Sequence, residues 1–152
     1  MTTATLLAER ARGDAGIDFL RAIRDGELPP APIQDTLGFQ LAEVDEGRVV
    51  FAATPGDEHY NPIGVVHAGL AATMLDSSMG AAVHSTLPQG SGYTTLETKF
   101  NLVRPIDAGT GEILSEGKIV HRGGRVATAE GRVTRASDGK LLAHGTSTCL
   151  IL

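Results

Sequence analysis

The segment from His67 to Ser85, HAGLAATMLDSSMGAAVHS, constrains the fold more than any other part of the chain. It carries the best helical pattern, with apolar side chains at helical spacing. Nearly all of its other positions are Ala, Gly, Ser or Thr, and small residues allow a neighbouring backbone to approach closely. The segment therefore predicts a central helix that packs closely against a β-sheet.

The sequence around this helix predicts strands. Two short strands precede the helix and four follow it, at Gly38–Val44, Arg48–Thr54, Thr94–Arg104, Gly111–Arg122, Arg125–Arg135 and Lys140–Leu152. Alternation in the third strand predicts that Leu96, Thr98 and Phe100 share one face. The predicted class is α+β, with a mostly antiparallel sheet of about six strands and a segregated helix.

The start of the chain has a different pattern. Residues 1–35 are predicted to form an N-terminal helical extension, and residues 36–152 the main domain. Asp14 predicts the cap of a helix that Gly26 ends. The proline-rich segment Glu27–Asp35 is predicted to be a connector.

Composition excludes several classes of protein. Of the 152 residues, 41% are hydrophobic and 20% are charged, which excludes a disordered chain. The formal charge of −5 argues against a general nucleic-acid binder. Cys149 is the single cysteine, so an internal disulfide and a multi-cysteine metal site are excluded, and no metal is predicted from the scattered histidines. The least polar stretch, Ile63–Val83, is interrupted by His67 and Asp76, so no membrane span is predicted and the expected location is cytoplasmic.

Asp76 is the most unusual side chain of the predicted helix. It lies in the middle of the helix, far from the first turn, where a carboxylate favours the helix dipole. It shares a helical stripe with Thr73, Ser77, Gly80 and His84. Two interpretations follow: the stripe is a solvated face, or it faces a cleft in which the carboxylate acts as a general base.

The segment that leads into this helix, Asn61–Gly69, also carries possible chemistry. The first amides of a helix lack internal acceptors, so the N–H groups of Ala68 and Gly69 are predicted to be free to bind an oxygen that becomes negative. An oxyanion hole needs such donors. The alternative is an ordinary loop rich in Pro and Gly.

Together, NPIGVVHAGLAATMLDSSMGAAVHS and the later TTLETKFNLVRP resemble the hotdog-fold acyl-CoA thioesterases of the phenylacetate-degradation type. The resemblance runs from about Gly38 to Leu152. It rests on Asn61, on the His-Ala-Gly at 67–69 and on the acid nine residues after the histidine. It implies a long helix wrapped by an antiparallel sheet, hydrolysis of an acyl-CoA to free acid and coenzyme A, and no cofactor. It also implies a homodimer or homotetramer with each active site between two subunits.

The resemblance also implies roles for individual residues. Asp76 would be the catalytic carboxylate, as general base or nucleophile, and the Ala68 N–H would polarise the thioester carbonyl. Asn61 would orient the water or the carboxylate, Thr95 would place a hydroxyl near the acid, and His67 would be a hydrogen-bonding partner. The family pattern has Gly where this chain has Ala68, and a position that required positive φ would be strained by the change.

A basic turn is the candidate contact for coenzyme A. Arg122, Gly123, Gly124 and Arg125 form it, and the resemblance implies that they bind the phosphates, with Arg104 as a further candidate. The alternative for the turn is an ordinary hairpin. For the whole chain, the alternatives to a thioesterase are a non-catalytic acyl-CoA-binding protein and a hotdog enoyl-CoA hydratase.

Overall fold

A six-stranded antiparallel sheet wraps around one long helix. The computed structural model describes residues 1–152. The helices are α1 (Thr3–Gly13), α2 (Gly16–Arg24), α3 (Pro32–Leu37) and α4 (Ala68–His84). The strands are β1 (Phe39–Asp45), β2 (Arg48–Ala53), β3 (Tyr93–Leu102), β4 (Ile113–Arg122), β5 (Val126–Arg135) and β6 (Leu141–Ile151). Their order in the sheet is β1-β2-β4-β5-β6-β3, and the predicted α+β class is confirmed.

Helix α4 lies directly on the sheet because small residues line both surfaces. Five strands of the sheet, β2, β4, β5, β6 and β3, contact α4. A Cβ added at Gly117 of β4 would overlap the carbonyl oxygen of Ser78. Beside it, the buried hydroxyls of Ser78 and Ser115 are hydrogen-bonded at 2.9 Å. The close approach that the composition of the helix predicted is therefore a contact between backbones.

Strand β3 lies at one edge of the sheet and contains a β-bulge. It pairs only with β6, and the register shifts between Thr95 and Glu97. A bulge adds one residue and reverses the alternation beyond it. The partly buried residues are consequently Tyr93 and Thr95 before the bulge and Thr98 and Phe100 after it, while Leu96 is 58% exposed. The prediction that Leu96 shares a face with Thr98 is wrong for this reason.

The N-terminal helices pack onto the rest of the molecule. Helix α2 lies on β1 and α4, and its buried Phe19 and Leu20 belong to the same core cluster as the residues of α4 and the sheet. Helix α3 occupies the end of the predicted connector, beginning at a proline, which is favourable in the first helical turn. The division of the chain between residues 35 and 36 stays a prediction.

The predicted cap of α2 is wrong. The helix begins at Gly16 after Ala15, which makes no side-chain cap, and Asp14 is paired with Arg10 at 2.8 Å instead. The two charges are four residues apart at the end of α1, where such pairs face each other. The predicted end of α2 is confirmed, since the helix stops at Arg24 just before a glycine with positive φ. None of the four helices combines the length and the apolar character that a membrane crossing requires.

The contact at Gly117 can be tested by adding one methyl group. We expect Gly117→Ala to lower the free energy of unfolding by at least about 1–3 kcal/mol, since the methyl overlaps the α4 backbone and cannot be relieved by a rotamer change. Urea denaturation measures the effect. The matched control is Gly124→Ala, where an added Cβ has no neighbour within 4 Å and the change should stay within about 0.5 kcal/mol. Equal effects in the two variants would contradict the backbone contact.

Candidate active site

A cavity of about 600 Å³ lies over the one side of α4 that the sheet leaves open. Strand β2 bounds it on one side, β3 on the other, and the N-terminal helices cover it. Its apolar lining includes Leu7, Ala11, Phe19, Leu20, Ile23, Ile33, Phe51 and Ala81. Its polar lining comprises Gln34, Asp76, Ser77, His84, Thr94 and Thr95, together with Tyr93. The cavity is thus mostly apolar, with a group of polar side chains from α4 and β3.

The carboxylate of Asp76 is oriented by two hydroxyl groups. Thr95 donates to its Oδ1 at 3.0 Å and Thr98 donates to the same oxygen at 3.3 Å. The other oxygen, Oδ2, accepts no hydrogen bond from the chain, and the side chain is solvent-exposed. One oxygen therefore fixes the group while the other is free to react.

Thr98 is the member of this site that sequence reasoning missed. Residues three apart on a regular strand point to opposite faces, so Thr95 and Thr98 could not both reach one carboxylate. The bulge between them brings both to the inner face. No turn residue or proline in TTLETKF signals that bulge, so the alternation gave no reason to select Thr98.

The stripe of polar and small residues on α4 is not solvated at Gly80 and His84, which lie C-terminal to Asp76. Gly80 and His84 are buried. The hydroxyl of Tyr93 lies against Gly80, where an added Cβ would be 2.7 Å away. The imidazole of His84 lies between the rings of Phe19 and Tyr93, with centroids at 5.4 Å and 5.5 Å. The solvated-stripe interpretation is therefore wrong for these two positions.

Burial sets the protonation of the groups near Asp76. It lowers the pKa of His84, which favours the neutral imidazole. It raises the pKa of the Tyr93 phenol, and at the high pH where the phenol ionises, negative charge on Cys149 and Asp76 raises that pKa further. Burial also raises the pKa of the Cys149 thiol, despite hydrogen bonds that oppose the shift. The thiol and the phenol thus keep their protons at neutral pH, so neither supplies a nucleophile.

The loop before α4 is held by its own side chains. Asn61 Oδ1 accepts hydrogen bonds from the amides of Ile63 at 3.0 Å and Val65 at 3.2 Å. His67 is the N-cap of α4, and its Nδ1 accepts the Gly69 amide at 2.8 Å. The predicted free amide of Gly69 is therefore wrong, because the preceding histidine occupies it.

The Ala68 amide remains unpaired. As the first residue of α4, it donates to no group of the chain. Its φ is not positive, so alanine is unstrained where the family pattern has glycine. Of the two predicted donors, Ala68 is the one that can bind an external oxygen.

A single chain does not bring Ala68 to Asp76. They are eight positions apart on the helix, or about 12 Å along the axis. No residue of the 61–69 loop lines the cavity that contains Asp76. The carboxylate and the free amide of one chain therefore cannot act on the same carbonyl group.

The candidate coenzyme A contacts are also separated within one chain. Arg104 follows the end of β3 and donates to the Leu141 carbonyl. The turn Arg122–Arg125 lies at the other end of the sheet, beside the first residues of β3, as the pairing of β5 and β3 with β6 requires. Arg122 donates to the Gly123 carbonyl there. No group of three or more His, Cys, Asp or Glu side chains is placed to hold a metal ion.

The family follows from comparison with known proteins. Residues 63–142, more than half of the chain, match the model of the thioesterase superfamily. The chain belongs to this superfamily, and it is a thioester hydrolase. The α+β wrap around α4 is the predicted hotdog fold, and the resemblance seen in the sequence is confirmed.

Individual relatives agree with this assignment. Acyl-coenzyme A thioesterase 13 of Homo sapiens is 27% identical over 108 residues, which span 71% of this chain and 76% of the relative. A Ralstonia eutropha JMP134 structure described as a phenylacetic acid degradation-related protein and a candidate thioesterase is 30% identical. It covers 86% of this chain and 98% of its own, with a TM-score of 0.76. A mutant of the phenylacetic acid degradation protein PaaI from Thermus thermophilus is 25% identical, covers 79% and 98%, and has a TM-score of 0.71.

The buried position of His84 predicts a pH dependence of stability. Its folded pKa lies below the ordinary 6.5, so the unfolded chain binds the proton first as pH falls. The resulting stability is complete above about pH 6.5 and is lost as pH decreases towards the folded pKa, by at most about 1.4 kcal/mol per pH unit.

Urea denaturation at about pH 7.5 and about pH 5.5 measures this effect. We expect the loss of unfolding free energy between the two values to be smaller in His84→Asn than in the unmodified protein. His144→Asn, at an exposed position on β6, is the matched control and should leave the loss unchanged. A loss that is identical in all three proteins would contradict the role of His84.

Proposed function

We propose that the protein hydrolyses an acyl-CoA thioester to the free acid and coenzyme A, with Asp76 as the catalytic carboxylate. The observation that carries this proposal is the carboxylate itself. Two threonine hydroxyls hold one of its oxygens, and the residue lines a mostly apolar cavity. Such a site fits an apolar acyl group whose carbonyl carbon lies beside a reactive oxygen.

The reaction needs few groups beyond this carboxylate. Oδ2 of Asp76 either removes a proton from the attacking water or attacks the carbonyl carbon and forms an anhydride that water then cleaves. In both routes the carbonyl oxygen becomes negative in a tetrahedral intermediate. The C=O bond then re-forms as the C–S bond breaks, which releases the thiolate of coenzyme A. An ordinary thiol has a pKa of about 8.5, so the thiolate leaves near neutral pH without a strong general acid.

The oxyanion requires a donor that the same chain does not supply. We propose that the Ala68 amide of a second subunit donates to it, at the positive end of the α4 dipole. The separation of about 12 Å within one helix supports this arrangement. His67 would keep the helix start in place through its cap, and Asn61 would hold the loop, so both would act as positioning residues.

An antiparallel pairing of two β3 edges would create the shared site. The outer edge of β3 has no partner in the chain, and unpaired edges favour association. Leu96, Val120 and Val126 are exposed apolar residues of β3, β4 and β5 that favour further contacts. We therefore propose a homodimer as the smallest active unit, with a homotetramer as the larger assembly.

The same pairing would also bring the predicted coenzyme A contacts together. Antiparallel β3 edges place the end of one strand beside the start of the other. Arg104 of one subunit would then approach the end of the sheet that carries the Arg122–Arg125 turn of its partner. Their contact with the nucleotide phosphates stays a prediction.

Superfamily membership decides between the alternatives considered from the sequence. A non-catalytic acyl-CoA binder and an enoyl-CoA hydratase both lack the thioester hydrolysis of this class. We propose no nucleic-acid or membrane partner. A cytoplasmic location is proposed because the buried Cys149 is a free thiol and fits a reducing compartment.

Asp76→Asn tests the carboxylate. The amide has nearly the same shape but lacks the basic, nucleophilic oxygen, so we expect turnover to fall by about 10²–10⁴-fold or more. Thiol release from an acyl-CoA panel measures kcat, and calorimetry on the same preparation should show retained ligand binding. Asp18→Asn, on an exposed residue of α2, is the control and should be fully active. Unchanged turnover in folded Asp76→Asn protein would refute this role.

Ala68→Pro tests the amide donor. Proline is favoured at the first position of a helix and has no N–H, and the preceding His67 has ψ of 134°, which proline tolerates. We expect kcat to fall by about 10²-fold or more without loss of folding. Ala68→Gly retains the N–H group and should remain active.

Mixing the two inactive variants tests whether the site is shared. If Asp76 and Ala68 act across a two-fold interface, a mixed dimer contains one intact site and one site with both defects. Refolding equal amounts of Asp76→Asn and Ala68→Pro chains together should restore about a quarter of the original activity. If the refolded mixture shows only the residual activity of the two variants measured separately, Asp76 and Ala68 do not meet across subunits.

A further inference from the structure

Gln34 is a buried side chain with an unpartnered donor in the wall of the Asp76 cavity. Only 6% of the residue is exposed. Its Oε1 accepts the amide of Ala31 at 3.0 Å, which fixes the orientation of the side-chain amide. Its Nε2 has no hydrogen-bond partner. Gln34 lies between the Asp76 cavity and a second cavity beside β1 and β2, and its N–H₂ group has no acceptor in the chain.

This donor stands out because an unsatisfied buried N–H is costly to a fold. The cavity residues of α1 and α2 are apolar, among them Leu7, Phe19 and Ile23. An apolar side chain at this position would remove that cost but would leave the Ala31 amide without its acceptor, whereas a glutamate would keep the acceptor and carry no N–H₂ group. The amide is understandable if a ligand brings the missing acceptor into the cavity.

We propose that the acyl group of the substrate occupies the cavity beneath the N-terminal helices, and that Gln34 Nε2 donates a hydrogen bond to an oxygen on that acyl group, away from the thioester. This rests on the proposed function. The substrate class is therefore an acyl-CoA whose acyl part is mainly apolar but carries a hydroxyl or carbonyl oxygen. The cavity volume of about 600 Å³ lies within the range of small-molecule sites.

The position of the cavity also assigns a task to the start of the chain. Helices α1, α2 and α3 supply most of its apolar lining, and all three lie outside residues 63–142, which carry the superfamily match. Gly16 fixes this cover, since an added Cβ there would overlap the carbonyl oxygen of His84 at the end of α4. In this arrangement the family segment performs the hydrolysis and the N-terminal extension selects the acyl group.

Gln34→Met tests the selecting residue. Methionine has a side chain of similar length but neither the donor nor the oxygen that accepts the Ala31 amide, so the free energy of unfolding is measured by urea denaturation as a control for the loss of that contact. The probes are octanoyl-CoA and a series of octanoyl-CoA derivatives with one hydroxyl at successive carbons beyond the second. We expect the unmodified protein to prefer at least one hydroxylated substrate by about tenfold or more in kcat/KM. Gln34→Met should lose that preference, so that the ratio of kcat/KM for the hydroxylated substrate to kcat/KM for octanoyl-CoA falls to about one.

Ala11→Phe tests the location of the acyl group without altering any polar contact. Ala11 is partly buried and lines the cavity, so the larger ring would fill it. We expect kcat/KM for octanoyl-CoA and longer acyl groups to fall by about tenfold or more, with acetyl-CoA much less affected. The control is Ala4→Phe, on an exposed part of α1 that does not line the cavity.

The outcomes separate the inference from the function on which it rests. Absence of thiol release from every acyl-CoA in the unmodified protein would overturn the proposed function. Active protein whose preference for hydroxylated substrates is absent, or is unchanged by Gln34→Met, would overturn the role of Gln34. An unchanged chain-length profile in Ala11→Phe would remove the acyl group from this cavity, and this result is independent of whether Gln34→Met folds.

Discussion

The backbone contact between α4 and β4 determines where everything else can lie. At Gly117 the strand approaches Ser78 so closely that no side chain fits between them. The sheet can therefore curve around α4, which contacts every strand from β2 to the edge strand β3. Only one side of the helix is left for other uses, and that side carries Asp76, Ser77 and His84. The position of the functional cavity is thus a consequence of helix–sheet packing.

The two ends of that open side have different environments. At Asp76 the side chain is exposed and accepts hydrogen bonds from two threonine hydroxyls. Towards the end of the helix, Phe19 and Tyr93 enclose His84 and burial disfavours its protonated form. One helix thus presents an exposed acidic side chain and a buried imidazole to the same cavity. A thioester, with its polar reacting carbon and apolar acyl tail, fits this gradient.

The sequence predicted the fold well because its signals were local and repeated. The six strands and the long helix lie within a few residues of their predicted bounds, and the acid at position 76 stands out in a helix of small residues. Gly69 and Thr98 show where local patterns end. The amide of Gly69 donates to a histidine ring two residues away, and Thr98 reaches the site because of a bulge. Neither effect has a periodicity from which it could be predicted.

The structure of the N-terminal region was harder to predict from the sequence for a related reason. Asp14 is of a residue type that often caps helices, but an arginine one turn earlier on α1 forms an ion pair with its carboxylate. Gln34 lies in a proline-rich segment that gave no sign of a helix or of a cavity. Its significance depends on which of its two amide atoms finds a partner, and that is a property of the folded molecule.

The bulge in β3 links the carboxylate site to the free edge of the sheet. The strand that presents Thr95 and Thr98 to the carboxylate is also the strand whose outer edge is unpaired. Insertion or deletion of one residue near Leu96 would exchange the inward and outward faces of part of β3 and shift its edge register together. Natural selection can therefore alter the chain length of this strand only if the carboxylate site and the sheet edge change at the same time. Descendants of this sequence should vary in the residues that β3 exposes while its length stays constant.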